Sequence, residues 1–285
     1  MKTIDNWTEY KIIKATNGMK LEEWNGVKLF RPDPQIVWNQ DIVTNEYDAK
    51  YSRSNTGGGS WEIINPQIPN RWVIHYQDLT FNLKLMGFKH TGLFPEQAYN
   101  WDYLTEKIKS ADKPISVLNL FAYTGAASVV ALKAGASVVH VDSAKGMVDW
   151  AKENVASSKL EDKPIRYLVD DVVKFVKREI KRGNTYDIIL MDPPSFGRGA
   201  NGEIWDIEQD LFELVSLCTE LLSEDAKMFL INSYTTGLSM TVLENILKLT
   251  VNQKFKGHIS SDELGIPIED SNLILPCGIY ARWER

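Results

Sequence analysis

Between residues 115 and 192 the chain repeats one pattern, and that pattern leaves few folds open. Residues 115–121 are a short apolar run that ends in a turn, and residues 129–134 continue as a helix that stops at Gly135. Residues 137–141 form a second apolar run closed by Asp142. After the helical stretch 147–155, a third run at 165–169 ends in Asp170-Asp171, and a fourth at 186–191 ends in Asp192. Strands alternating with helices predict a parallel sheet with right-handed crossovers. Acidic residues that close successive strands gather carboxylates at one sheet edge, where such sheets bind ligands. A fifth strand is expected near 227–231. After a helix over 238–252, residues 256–260 and 278–283 follow as strands with no helix between them. They predict a hairpin and an antiparallel last strand.

The run Asp192-Pro193-Pro194-Ser195-Phe196 follows the fourth strand directly. Proline lacks an N–H and holds φ at about −65°, so this stretch predicts a rigid lip with carbonyls aimed into the crevice. Such acceptors suit a planar amine or heterocycle, and Phe196 offers a stacking face. The plain alternative is a strand-ending turn, where proline is common.

The turn Ala122-Tyr123-Thr124-Gly125-Ala126-Ala127-Ser128 has one glycine and no basic residue. A dinucleotide site needs Gly-x-Gly-x-x-Gly so that backbone can approach a pyrophosphate, which disfavours a nicotinamide-dependent oxidoreductase. The turn suits a phosphate-free nucleoside with an amino-acid tail, and S-adenosylmethionine is that molecule. Gly125 would let the tail lie against backbone, and Asp142 would accept the ribose hydroxyls. One of Asp170 and Asp171 would accept the adenine amine. A helix N-cap is the competing reading of Asp170.

These segments carry a family resemblance. Asn119-Leu120-Phe121-Ala122-Tyr123-Thr124-Gly125, Val141-Asp142-Ser143, Asp170-Asp171-Val172 and Asp192-Pro193-Pro194-Ser195-Phe196 resemble class I S-adenosylmethionine-dependent methyltransferases. Within that class the chain is most similar to the bacterial enzymes that methylate large-subunit ribosomal RNA and to their relatives. The resemblance runs over residues 88–285 and includes His90-Thr91-Gly92-Leu93-Phe94-Pro95-Glu96-Gln97. It implies an α/β, Rossmann-like methyltransferase sheet, mostly parallel with an antiparallel last strand. It also implies a cofactor site bordered by Phe94, Gln97, Asn119, Phe121, Ala122, Gly125, Asp142, Ser143, Asp170, Asp171 and Asp192. Ribosomal RNA is the substrate it favours.

The chain departs from the family at one place. Members that methylate C5 of a pyrimidine need a cysteine nucleophile, just after the fifth strand. Here Asn232-Ser233-Tyr234-Thr235 occupies that position, with Tyr234 or a neighbour where cysteine is expected. C5 chemistry is therefore demoted. Cys218 lies in an apolar helical run and reads as a small core residue. Cys277, in Pro276-Cys277-Gly278, is an outside candidate.

Attack by a nitrogen asks less of the protein, because alignment and desolvation supply most of the rate. The expected catalytic residues are Asp192, to accept a hydrogen bond from the target amine, Pro193 or Pro194, for a second carbonyl acceptor, and Phe196, to stack. In amino-methyltransferases an aromatic commonly follows the two prolines at once, whereas here Ser195 intervenes. N7 of a guanine and a non-nucleic acceptor stay open.

A chain of 285 residues at 44% hydrophobic can bury a large core. Two domains are expected: residues 1–88 as a small, mainly β domain, and residues 89–285 as the methyltransferase domain. The first contains Trp7, Trp24, Trp38, Trp61 and Trp72, with alternating stretches at 61–64, 72–76 and 80–85 that predict short antiparallel strands. Filling a core is the favoured use of these tryptophans over stacking on bases. Gly57-Gly58-Gly59-Ser60 reads as a flexible loop. Apolar stretches are strand-sized, so no membrane span is expected, and the first residues lack a secretory signal. Two cysteines without ligand spacing predict no metal site, and a cytoplasmic protein is expected.

Charge does not favour RNA. The net charge is −6; residues 1–110 hold 13 basic and 13 acidic residues, the rest 19 and 25. The basic segment 174–182 reads as a solvated helix face. RNA stays as a partner through the resemblance, since phosphate contacts need only a local patch. Residues 197–206, with three glycines beside Arg198 and Trp205, predict a mobile lid, with a simple surface loop as the alternative.

Overall fold

The computed structural model describes residues 1–4, 7–39, 46–54, 58–199, 202–269 and 271–285. They form two compact units: Met1–Tyr99 with Leu264–Cys277, and Asn100–Glu263 with Gly278–Arg285. The boundary expected at 88/89 thus falls after Tyr99, and the first unit also takes residues 264–277. Backbone pairing explains this. Strand β1 (Lys2–Thr3) pairs in parallel with Leu264 and Gly265, and Glu269 N donates to Ile12 O at 2.8 Å.

In the first unit β2 (Tyr10–Thr16), β3 (Met19–Trp24), β4 (Val27–Pro32), β5 (Ala49–Arg53) and β6 (Gly59–Ile63) form one sheet in chain order. Strands β7 (Trp72–Tyr76) and β8 (Leu79–Leu83) form a separate antiparallel ribbon. Asn17-Gly18 and Asn25-Gly26 join β2 to β3 and β3 to β4. All four residues have positive φ, as a two-residue hairpin turn with the twist of its strands requires. The strands expected at 61–64, 72–76 and 80–85 pair antiparallel, whereas β4 and β5 run parallel. Gly59 and Ser60 belong to β6 and not to a flexible loop, and a Cβ on Gly59 would meet the Tyr51 hydroxyl at 2.6 Å. Gly57 lies outside the described residues.

The tryptophans are structural. Trp24 is fully buried, and Trp7, Trp38, Trp61 and Trp72 each donate an indole N–H to a backbone carbonyl. The unit also buries charge. Arg31 Nε and Nη2 donate to Glu22 at 2.6 and 2.8 Å, and the Tyr10 hydroxyl donates at 2.8 Å. Burial pushes the Glu22 carboxyl up, but Arg31 and Lys20 outweigh it and hold the group at about 2.

The second unit is the α/β part. It starts in α1 (Ala98–Lys109) and continues through β9 (Ser116–Leu120), α2 (Ala126–Ala134), β10 (Ser137–Asp142), α3 (Lys145–Ser157), β11 (Ile165–Val169), α4 (Val172–Arg182) and β12 (Ile188–Met191). A short hairpin, β13 (Phe196–Arg198) and β14 (Ile204–Asp206), leads to α5 (Ile207–Glu220) and β15 (Met228–Ser233). The chain ends with α6 (Met240–Leu249), α7 (Val251–Lys254), β16 (His258–Pro267) and β17 (Ile274–Glu284). Sheet order in this unit is β16-β17-β15-β12-β9-β10-β11. The five strands from β15 to β11 are parallel, and β17 is antiparallel to β15, as the sequence predicts. The helix expected over 238–252 is two helices.

Strand β9 has β10 on one side and β12 on the other, so the order in which strands are added reverses about β9 while all run parallel. Residues Val117, Leu118 and Leu120 are wholly buried, as are Ile188 and Ile189, which is why these strands read as unbroken apolar runs. Among the described residues no helix is long and apolar enough to cross a membrane.

Candidate active site

The site is built where β9 meets its two neighbours. Leu120 is the register partner of Val141 and of Met191, and Asp142 is that of Val169. The segments that follow these strand ends therefore leave the sheet at one level. Ala122 N donates to Val141 O at 3.0 Å, and Asp170 N to Asp142 O at 3.0 Å, which carries the ladder past the strands.

The turn after β9 is tightly wound. Phe121, Tyr123 and Gly125 have φ of 53°, 51° and 82°. Left-handed backbone costs a non-glycine residue of the order of 1–2 kcal/mol, so the turn needs external support. Tyr123 N donates to Asp142 Oδ2 at 2.8 Å, and Asn154 Nδ2 of α3 donates to Thr124 O at 2.8 Å. Gly125 is required twice over. A Cβ there would sit 2.7 Å from Ala151 Cβ and 3.3 Å from His140 Cε1, besides the positive φ.

Asp142 serves two turns at once, because its Oδ1 accepts from Ala144 N at 2.9 Å. Burial raises its carboxyl, and the two backbone N–H groups pull it down; the net shift is upward. Ser143 is exposed beside it. Asp171, rather than Asp170, is the N-cap of α4, accepting from Lys174 N at 2.8 Å. Asp170 is paired with Arg178. Asn119 is buried, and its Nδ2 donates to Ser128 Oγ at 2.9 Å. Phe121 meets Trp205 at 5.1 Å between ring centroids, and Ala122 is buried.

The Asp192-Pro193-Pro194 lip is anchored at its far end. Trp205 Nε1 donates to Pro194 O at 2.7 Å, Ile207 N donates to Ser195 O at 3.1 Å, and Ser195 Oγ lies 2.7 Å from Thr235 Oγ1. The segment expected to form a lid contains the β13–β14 hairpin. Its Trp205 is buried, Glu203 pairs with Lys174, and Gly199 N donates to Glu203 O at 2.9 Å. Ala200 and Asn201 of the expected lid lie outside the described residues. Pro194 O is turned to Trp205, and Pro193 is buried. Phe196 is 55% exposed, and Arg198 is exposed.

Neither cysteine is a ready nucleophile. Cys218 is fully buried in α5, and burial raises its thiol far above the usual range. Cys277 belongs to the first unit and is half-buried, and its thiol is raised too. Tyr234 follows β15 with its ring against Gly278, whose Cβ would lie 2.9 Å from Tyr234 Cε1. Phe94 and Gln97 fall in the first unit, before and within the turn Pro95–Gln97; the Phe94 ring centroid is 5.3 Å from that of His90, and Gln97 is buried.

Sequence reasoning missed Asn154, Ser128 and His140, which hold the turn. One signal was present: His140 and Asp142 share a strand face at period two.

The donor set fits a phosphate-free, positively charged nucleoside. Residues 121–128 carry no lysine or arginine, and Asp142, Asp170, Asp171 and Asp192 all close strands of this edge. Each carboxylate oxygen of Asp142 accepts one backbone N–H and keeps a further acceptor site.

Residues 52–254 match the family model described as S-adenosylmethionine-dependent methyltransferase. The chain belongs to this family. The methyltransferase uses S-adenosylmethionine as its cofactor and has the methyltransferase fold. A S-adenosylmethionine-dependent methyltransferase from Agrobacterium tumefaciens is similar over 99% of this chain and 92% of that one, at 35% identity and a TM-score of 0.93. A ribosomal RNA large subunit methyltransferase K/L from Pseudoalteromonas atlantica is 29% identical over 234 residues, 78% of this chain and 32% of that protein. The corresponding protein from Alteromonas mediterranea is 31% identical over 223 residues, 74% of this chain and 30% of that protein. The methyltransferase thus spans about a third of the length of the curated relatives it matches.

Proposed function

We propose that this methyltransferase methylates a nitrogen of an RNA base, ribosomal RNA first, by direct transfer without a cysteine nucleophile. The observation that carries the reading is the shared register partner Leu120, which sets the Asp142 turn and the Asp192 lip on either side of residues 121–125. Bound S-adenosylmethionine supplies an electrophilic methyl group on a sulfonium. Asp142 accepts ribose hydroxyls on the acceptor sites left by Tyr123 and Ala144. One of Asp170 and Asp171 accepts the adenine amine, and Gly125 lines the amino-acid tail.

On the acceptor side, Asp192 takes a hydrogen bond from the target amine, aims its lone pair and receives its proton after transfer. The carbonyl of Pro193 or Pro194 supplies the second acceptor, and Phe196 stacks on the base. Burial keeps the thiols of Cys218 and Cys277 protonated, which supports transfer without a covalent enzyme adduct. The names of the ribosomal RNA methyltransferases that the chain resembles support RNA as the acceptor; the net charge of −6 does not.

The test offers the protein labelled S-adenosylmethionine with unmodified ribosomal RNA, a protein mixture and small amines in turn. Label in RNA is the expected result. Label confined to protein or amines would remove RNA from the reading.

A further inference from the structure

The turn after β9 is tied to the sheet by three buried side chains that the proposed chemistry does not use. Asn119 on β9 and His140 on β10 are register partners, and Ser128 lies in the first turn of α2. Asn119 Nδ2 donates to Ser128 Oγ at 2.9 Å, and Ser128 Oγ lies 3.0 Å from His140 Nδ1. None of the three is more than 4% exposed.

Proton counting fixes the direction of this chain. The Asn119 amide nitrogen can only donate, so its hydrogen occupies an acceptor position on Ser128 Oγ. Ser128 has one hydroxyl proton, and among the described residues His140 Nδ1 is the acceptor in its reach. With the serine proton on that contact the nitrogen is unprotonated, and the neutral imidazole carries its proton on Nε2. Nε2 is buried without a hydrogen-bond partner among the described residues, and the ring meets Tyr167 edge-on with centroids 5.7 Å apart.

We infer that Asn119, Ser128 and His140 form a one-way hydrogen-bond relay, with His140 in its Nε2–H form, that positions residues 121–125 to receive the cofactor. This rests on the proposed placement of the cofactor at that turn. Ser128 is three residues past Gly125, and His140 Cε1 is one of the atoms that a Cβ on Gly125 would meet. The relay thus fixes both the start of α2 and the wall behind the glycine. Burial holds the imidazole down at about 4, so it stays neutral at neutral pH. The three are positioning residues.

Two measurements on the full chain test this. Nitrogen-15 NMR of the His140 imidazole is expected to show a protonated Nε2 and an unprotonated Nδ1; the opposite tautomer overturns the relay. Ser128→Ala and His140→Leu are expected to raise KM for S-adenosylmethionine about tenfold, the loss of one buried hydrogen bond, with kcat little changed. His140→Asn, whose amide oxygen can accept the serine proton, is expected to restore most of that KM. An unchanged KM in both disruptive variants, or a parallel collapse of kcat and melting temperature, overturns the positioning role. Asp142→Ala is run beside them with S-adenosylhomocysteine. Unaltered affinity there refutes the cofactor placement and with it the positioning role, while the tautomer still decides the relay.

Discussion

The backbone nitrogen of Tyr123 lies 2.8 Å from Asp142 Oδ2, so the residue that ends β10 also shapes the turn after β9. Asp142 thereby acts on the cofactor site both as an acceptor and as a brace.

Replacing it should show both effects. Asp142→Ala is expected to weaken S-adenosylhomocysteine binding by about 1–3 kcal/mol, the cost of leaving polar groups unpaired, and to lower the melting temperature. Calorimetric titration measures the first; full affinity would place the ribose elsewhere.

Gly125→Ala brings strained φ and a clash with Ala151 Cβ together. The strain is of the order of 1–2 kcal/mol, and overpacking adds about 1–3 kcal/mol. The double variant Gly125→Ala, Ala151→Gly should recover part of the loss, because it relieves the clash and not the φ. Chemical denaturation of the single and double variants checks this; full recovery would show that the backbone tolerates a side chain there.

Trp205→Phe removes the donor to Pro194 O while keeping an aromatic ring near Phe121. The expected cost is about 1 kcal/mol, with slower methyl transfer and unchanged S-adenosylhomocysteine affinity. A variant with wild-type kcat would show that the anchored hairpin does not matter to the acceptor.

Burial holds His140 at about 4, and burial followed by the charge of Arg31 holds His90 at about 4. An unfolded imidazole titrates near pH ~6.5. As pH falls, the unfolded chain takes up these protons first, so the contribution of the two rings is flat above about 6.5 and falls progressively toward about 4, by about 3 kcal/mol for each histidine. His140→Leu should remove about half of that slope in a melting series from pH 7 to 4. Stability that rose on acidification in this window would contradict the burial of both rings.

The central parallel strands were legible because β9, β12 and β15 are buried on both faces and read as apolar runs, whereas β11 is half exposed and was legible only from its place in the alternation of strands and helices. The domain boundary was not legible. The pairing of β1 with Leu264 and Gly265 joins residues far apart in sequence, and two-residue β1 has no periodicity to announce it. The hairpins β2–β3 and β3–β4 carried their signal in Asn17-Gly18 and Asn25-Gly26. The pairing of Phe196–Arg198 with Ile204–Asp206 in the expected lid was not legible, because glycine content masks strands and the buried Trp205 that donates to Pro194 O carries no short-range signal. Gly125 stood out in the sequence as the lone glycine of its turn, yet the contact that demands it is with the Ala151 Cβ of α3, which spacing could not reveal.

The most direct test of the account is single-turnover methyl transfer by Asp192→Ala at saturating labelled S-adenosylmethionine, with unmodified ribosomal RNA as acceptor. A loss of at least about a hundredfold is predicted, the scale of losing the group that holds the attacking nitrogen in line. Transfer at the wild-type rate would remove Asp192 from the mechanism and contradict the assignment of the lip after β12 as the acceptor site.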